Sequence, residues 1–293
     1  MSKALAQPVT GPAAPALRPP RRHPGFDRPR FLWAMYLAIC FYIFVPIAIV
    51  VVYSFNSAST LQVFSGLSFR WYHAFWGDST IKQSLQLSLE IAAVTMVVAT
   101  VLGTLLAIGL VRVRGRIGTP ANVLMLLPLI TPEIVTGVGL LLLFSRVGLT
   151  LSMQTVILGH VAFSISYVTV IVRARLSLLN REVEEAAMDL GATDLGALRL
   201  VTLPALYPAI AASALLVFVL SFDDFVTSLF VTGNGVSPLP VRIYSLLRVG
   251  VSPEINALGT TMIAITLVFV LAALPITLRR GRSESATPPA VAE

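Results

Sequence analysis

Five ionisable side chains, Glu90, Glu133, His160, Asp223 and Asp224, stand inside stretches otherwise apolar enough to dissolve in lipid. Such groups are costly in a hydrocarbon medium and mark functional positions by default. Four of the five are acids. That favours a cationic ligand, because a carboxylate can replace the hydration an ammonium group loses on leaving water. Asp223 and Asp224, in "LSFDDFVTSLF", are the most informative. Adjacent helical residues point about 100° apart, so one is expected to line a path while the other caps or pairs within the bundle. Glu133 follows Pro132 in "LITPEIVTG", at a predicted kink whose freed carbonyls want water or a polar neighbour. Glu90 fits either a path or a solvated outer mouth. His160, Ser164 and Tyr167 recur at i, i+4 and i+7 as a polar stripe, a pattern that joins helices more often than it touches a ligand.

A second constellation is soluble in character. Residues 184–204 read "EEAAMDLGATDLGALRLVTLP", with four acidic side chains, between two apolar segments. Asn180 is placed to cap a helix, Glu182, Glu184 and Glu185 complement its dipole, and Gly191 suits the left-handed C-terminal position. The spacing predicts a short helix over 181–190. Thr193 or Asp194 then caps a second helix to about residue 202, which Pro204 separates from the following apolar segment. Two short helices joined at a bend, with Ala186 and Ala187 leaving a low-profile face, make an elbow that fits a groove on another protein. The alternative is an ordinary re-entry loop.

The elements that position these residues follow from composition. The 293-residue chain is 56% hydrophobic and only 12% charged, about half the charge of a soluble domain, and its mean hydropathy is +0.84. A helix crossing a ~30 Å hydrocarbon core needs about 20 mostly apolar residues. Six candidates lie near 31–53, 87–111, 121–145, 153–173, 205–230 and 255–278. Lipid offers the backbone no hydrogen-bond partners, so each must be helical. The fold class is all-α, a polytopic membrane protein with six transmembrane helices. Residues 1–30 and 279–293 read as tails, with 1–30 and 281–293 expected to be disordered. The first 30 residues lack the apolar core of a cleaved signal peptide.

Sixteen of the 21 Lys and Arg residues fall in the N-terminal tail, the second and fourth connections and the C-terminus. The positive-inside rule then places both termini and the elbow in the cytoplasm. The net charge of +7 is a topology signal rather than a nucleic-acid surface, since the basic residues cluster beside apolar runs. Gly103 and Ala107, and Ala205, Ala209 and Ala212, form small-residue faces for close helix packing. Pro208 is expected in the first turn of the fifth span. The single cysteine, Cys40, excludes an internal disulfide and a cysteine metal cluster.

Glu185-Ala186-Ala187, three residues, Gly191, nine residues, then Val201-Thr202-Leu203-Pro204 resembles the EAA signature of ABC-importer permease subunits, EAA-x3-G-x9-I-x-L-P. Val201 stands where the pattern has Ile. The span layout over 31–278 is likewise similar to a type I importer permease, the MetI-like fold. By this resemblance, 180–204 is a coupling elbow. Glu184, Glu185, Ala186, Ala187, Gly191, Leu203 and Pro204 belong to the docking surface for a cytoplasmic ATPase, whose closure drives alternating access. The resemblance implies a bacterial inner-membrane assembly of a second permease subunit, two ATPase copies and a periplasmic or extracellular substrate-binding protein. This chain lacks the Gly-x4-Gly-Lys-Ser/Thr phosphate loop, and its two lysines, Lys3 and Lys82, lie in no such context. ATP and its magnesium therefore belong to the partner.

Residues 221–258, "SFDDFVTSLFVTGNGVSPLPVRIYSLLRVGVSPEINAL", look like the matching region of spermidine and putrescine permeases, which implies a polyamine cargo. Iron, thiamine and other amine importers have related permeases and stay open as alternatives. An ion-coupled secondary transporter would leave the elbow unexplained and calls for repeats that are not visible. An intramembrane enzyme lacks its His-Glu-x-x-His or Gly-x-Ser-x-Gly motif.

Overall fold

The computed structural model describes residues 29–112 and 118–284. Residues 1–28 of the N-terminal tail, 285–293 of the C-terminal tail, and Arg114 and Arg116 of the second connection lie outside the described residues. The chain divides after Ala48 into two units. Helix α1 (Pro29–Ser54) runs through that boundary, and Pro29 occupies its first position, where a missing N–H costs little.

The second unit is helical throughout its regular elements: α2 (Arg70–Gly77), α3 (Ser79–Arg112), α4 (Gly118–Ile130), α5 (Glu133–Arg146) and α6 (Met153–Leu176), followed by α7 (Arg181–Asp189) and α8 (Asp194–Ala197). A π-helical turn (Leu198–Thr202) leads into α9 (Leu203–Asp223), and α10 (Val226–Val231), α11 (Leu239–Val249) and α12 (Pro253–Glu284) complete it. Asp78 starts α3 by accepting hydrogen bonds from the Thr80 and Ile81 amides at 2.7 and 3.3 Å. The Thr80 bond, chief among these contacts, holds the Asp78 carboxyl below its ordinary range.

Helices α3, α6 and α9 form the core. Ala99, Ala107, Val168, Val172, Leu206 and Val217 make one buried cluster, and Phe75, Ile81, Phe218, Phe222, Leu239 and Leu258 lie in another. Gly103 permits the closest approach of α3 to α6: a Cβ there would lie 2.6 Å from Val168 Cβ. Across the same contact Thr169 Oγ1 donates to the Gly103 carbonyl at 3.2 Å. The predicted small face of the second span is therefore a real helix contact. The alanine stripe of the fifth span is not its buried face: Ala205 and Ala209 are half-buried and Ala212 is exposed, while Leu206, Ser213, Val217, Phe218, Ser221 and Phe222 are buried.

Several boundaries differ from the sequence expectation. The third span is not one kinked helix: α4 and α5 meet at 110° across residues 131–132. At 1.5 Å per residue the 14-residue α5 is about 21 Å long, too short to cross alone. Among the described residues five helices are long and apolar enough to span, with this bent pair as the sixth candidate. The fifth span also breaks, after Asp223 rather than near 230. Pro204 does not separate the elbow from that span; Asp194–Asp223 runs on as one 30-residue helical stretch. The π turn widens the helix just ahead of Pro204, where an α-helix would clash with the ring. Pro208 sits inside α9 rather than in a first turn, and α12 reaches Glu284, past the expected end at 278.

Gly103→Ala should lower stability by about 1–3 kcal/mol through overpacking. Gly109→Ala, whose Cβ meets nothing within 4 Å, should not. Thermal unfolding of the two variants in detergent checks this.

Candidate functional site

A cavity of about 320 Å³ opens where the two broken spans face each other. Pro128, Thr131, Glu133 and Thr136 line it from the α4–α5 bend, Phe163 and Tyr167 from α6, and Asp223, Asp224 and Thr227 from the α9–α10 break. The break has a local cause. Asp224 leaves helical geometry with φ −66° and ψ 117°. Its Oδ2 then accepts the Ser228 amide at 2.8 Å, which satisfies the start of α10.

Behind the cavity wall lies a buried polar network. His160 on α6 is only 1% exposed. Its Nε2 lies 3.1 Å from both Asp224 Oδ2 and Ser228 Oγ, and its Nδ1 lies 2.7 Å from Ser221 Oγ. The ionised Asp224 carboxylate only accepts, so the Nε2–H tautomer donates to it while Nδ1 accepts from the Ser221 hydroxyl. The network joins α6, α9 and α10.

The acidic pair thus divides its work as its helical offset predicts. Asp224 pairs and caps, with its side chain 7% exposed. Asp223 is exposed on the cavity wall and Glu133 is exposed across from it. Two carboxylates and the rings of Phe163 and Tyr167 suit a cation: the acids replace water, and the aromatic faces attract positive charge. Glu90 is not part of this group; it is exposed on α3 and accepts a hydrogen bond from Gln86 Nε2 at 2.7 Å. The polar stripe on α6 splits, His160 into the network and Tyr167 onto the cavity, while Ser164 is fully buried. Sequence reasoning missed Thr131, Thr136 and Phe163 on the cavity wall. It also missed Ser221 and Ser228, whose i−3 and i+4 spacing from Asp224 was the available signal.

The elbow adopts the predicted caps. Asn180 Oδ1 accepts the Glu182 amide at 3.1 Å, and Thr193 Oγ1 accepts the Gly196 amide at 3.1 Å. Helix α7 ends in a Schellman motif: Gly191 has φ +94°, its amide donates to Met188 O at 2.9 Å, and the Ala192 amide donates to Ala187 O at 3.0 Å. Glu185, Ala186 and Gly191 are exposed, Glu184 and Ala187 half-buried, and Leu203 and Pro204 lie one helical stretch further on. Leu190 and Leu200 are 91% and 76% exposed, so the elbow presents apolar as well as acidic surface. Arg112 at the end of α3 forms an ion pair with Glu184.

A family model, binding-protein-dependent transport system inner membrane component, matches residues 99–279. The putrescine transport system permease protein PotI of Escherichia coli (strain K12) is 42% identical over 229 residues, 76% of this chain and 82% of that protein. The spermidine/putrescine transport system permease protein PotC of the same strain is 39% identical over 236 residues, 80% of this chain and 89% of that protein. Among solved structures, a bacterial ABC transporter involved in the import of the acidic polysaccharide alginate matches with a TM-score of 0.68 at 15% identity. That match covers 85% of this chain and 96% of the other, and shows the fold alone.

His160→Leu should destabilise the chain by about 1.5–3 kcal/mol, the worth of a hydrogen bond to a charged group, because Asp224 and Ser221 lose their partner. His160→Gln should recover part of that loss. Thermal unfolding of both variants tests the assignment.

Proposed function

We propose that this chain, which belongs to the family of binding-protein-dependent transport system inner membrane components and is a permease subunit of an ABC importer, carries polyamines such as putrescine or spermidine. The observation that carries the reading is the convergence of Glu133 and Asp223 on one cavity at the breaks of two spans. A polyamine brings several ammonium groups. Each must exchange its water for another negative or aromatic partner, and the cavity wall offers both. The names of the two relatives support the same cargo.

The chain itself supplies the path and a partner supplies the energy. Of two copies of a cytoplasmic ATPase, holding ATP and magnesium, one docks on the exposed elbow around Glu185, Ala186 and Gly191. Their closure moves the elbow and with it the helices on either side. A second permease subunit completes the path, and an external binding protein delivers the cargo. Both termini and the elbow face the cytoplasm, in keeping with the distribution of basic residues.

Uptake of radiolabelled putrescine and spermidine into proteoliposomes, with ATP on the elbow side and the binding protein outside, tests this. ATP-dependent accumulation of either supports the reading; ATP-driven activity without polyamine uptake overturns the cargo and points to another amine. Asp223→Asn and Glu133→Gln should each reduce uptake about tenfold or more while the subunits still co-purify. Glu185→Lys should leave ATP hydrolysis running while uptake is lost, measured as cargo moved per ATP hydrolysed.

A further inference from the structure

The elbow is loosely held. Helix α7 buries none of its residues. A cavity of about 510 Å³, walled by Ile108, Val111, Leu176, Val201 and Ala205, lies between it and the body of the protein. Motion of α7 therefore has few routes inward. Two are covalent. One runs through Ser177–Asn180 to α6, and the other through the Gly191 bend and the π turn to α9. The third core helix, α3, has no chain connection to the elbow; Arg112 precedes Glu184 by 72 residues. Yet α3 packs against both α6 and α9 along the core and against α6 at Gly103.

The Arg112–Glu184 pair closes this gap. It is an ion pair that joins α7 directly to α3. Both side chains line the mouth of the 510 Å³ cavity and the open acidic and basic cleft beside it. We propose that Arg112 is a positioning residue for energy coupling: by holding Glu184 it makes α3 follow the elbow, so that all three core helices move together rather than α6 and α9 sliding past α3. The proposal rests on the elbow being the ATPase docking site. It separates the roles of the two neighbouring acids. Glu185, exposed, is left for the partner, and Glu184 is engaged within the chain.

The side chains of Arg112 and Glu184 are 41% and 25% exposed, and exposed pairs contribute little to folding. Loss of the pair should therefore spare the fold and appear in coupling. In proteoliposomes of the full complex, Arg112→Ala and Glu184→Ala should each lower cargo moved per ATP hydrolysed about two- to fivefold. Melting temperature and ATPase co-purification should stay at wild-type values. The charge swap, Arg112→Glu with Glu184→Arg, should bring the ratio back toward wild type. An unchanged ratio in Arg112→Ala, or a swap no better than the single variants, overturns the proposal. So does loss of ATPase co-purification in Glu184→Ala alone, since Glu184 would then belong to the partner contact. If the wild-type complex shows neither ATP-dependent uptake nor ATP hydrolysis that depends on this chain, the underlying reading of the elbow fails and this one with it.

Discussion

A carboxylate set among apolar helices must find partners, and the arrangement of the cavity follows from how Asp224 finds them. Leaving Asp224 inside a continuous α9 would strand a charge whose side chain is 7% exposed. The chain instead breaks at Asp224, and the carboxylate takes the Ser228 amide and the His160 ring. Three helices are tied by that one group. The break also opens the wall on which Asp223 stands, and the Pro-rich bend between α4 and α5 brings Glu133 to the same space. One buried acid is satisfied so that its neighbour can remain available.

The rest of the unit contrasts a tight core with a loose attachment. Where Gly103 meets Val168 there is no room for a methyl group, so α3 and α6 are close-packed at that level. Helix α7 of the elbow, with no buried residue of its own, has room to travel, while Ala197 and Thr202 at the elbow's far end are buried. That contrast suits a part that is pushed from outside and a body that must respond as a whole. The shared fold does not by itself choose the cargo. A transporter of an acidic polysaccharide has a similar architecture.

Much of this was legible from residue types and spacing. The elbow was readable because capping is local chemistry: Asn180, Gly191 and Thr193 act on amides within five residues. The split role of Asp223 and Asp224 followed from helical geometry alone. Breaks inside spans were harder. Pro128 and Pro132 announce a kink, but its 110° size depends on what packs against each half, including the Phe230 ring that lies where a Gly137 side chain would point. The end of α9 was hidden because hydropathy continues across it, and the break is favoured jointly by the Ser228 amide and by His160, 64 residues away. Pro204 misled for the opposite reason, since a π turn absorbs what would stop an α-helix. Glu90 was drawn in by hydropathy, which does not say which face of a helix a residue occupies.

The proposed route of a cationic cargo is the cavity between the two broken spans, and Thr136 lines that cavity without contributing charge. In a Cys40→Ser background, Thr136→Cys provides this chain with a single thiol whose modification by a cationic methanethiosulfonate reagent can be timed in the working complex. Putrescine should slow this reaction, and an uncharged diol of equal length should not. Equal rates with and without putrescine, in a complex that still transports it, would contradict that route.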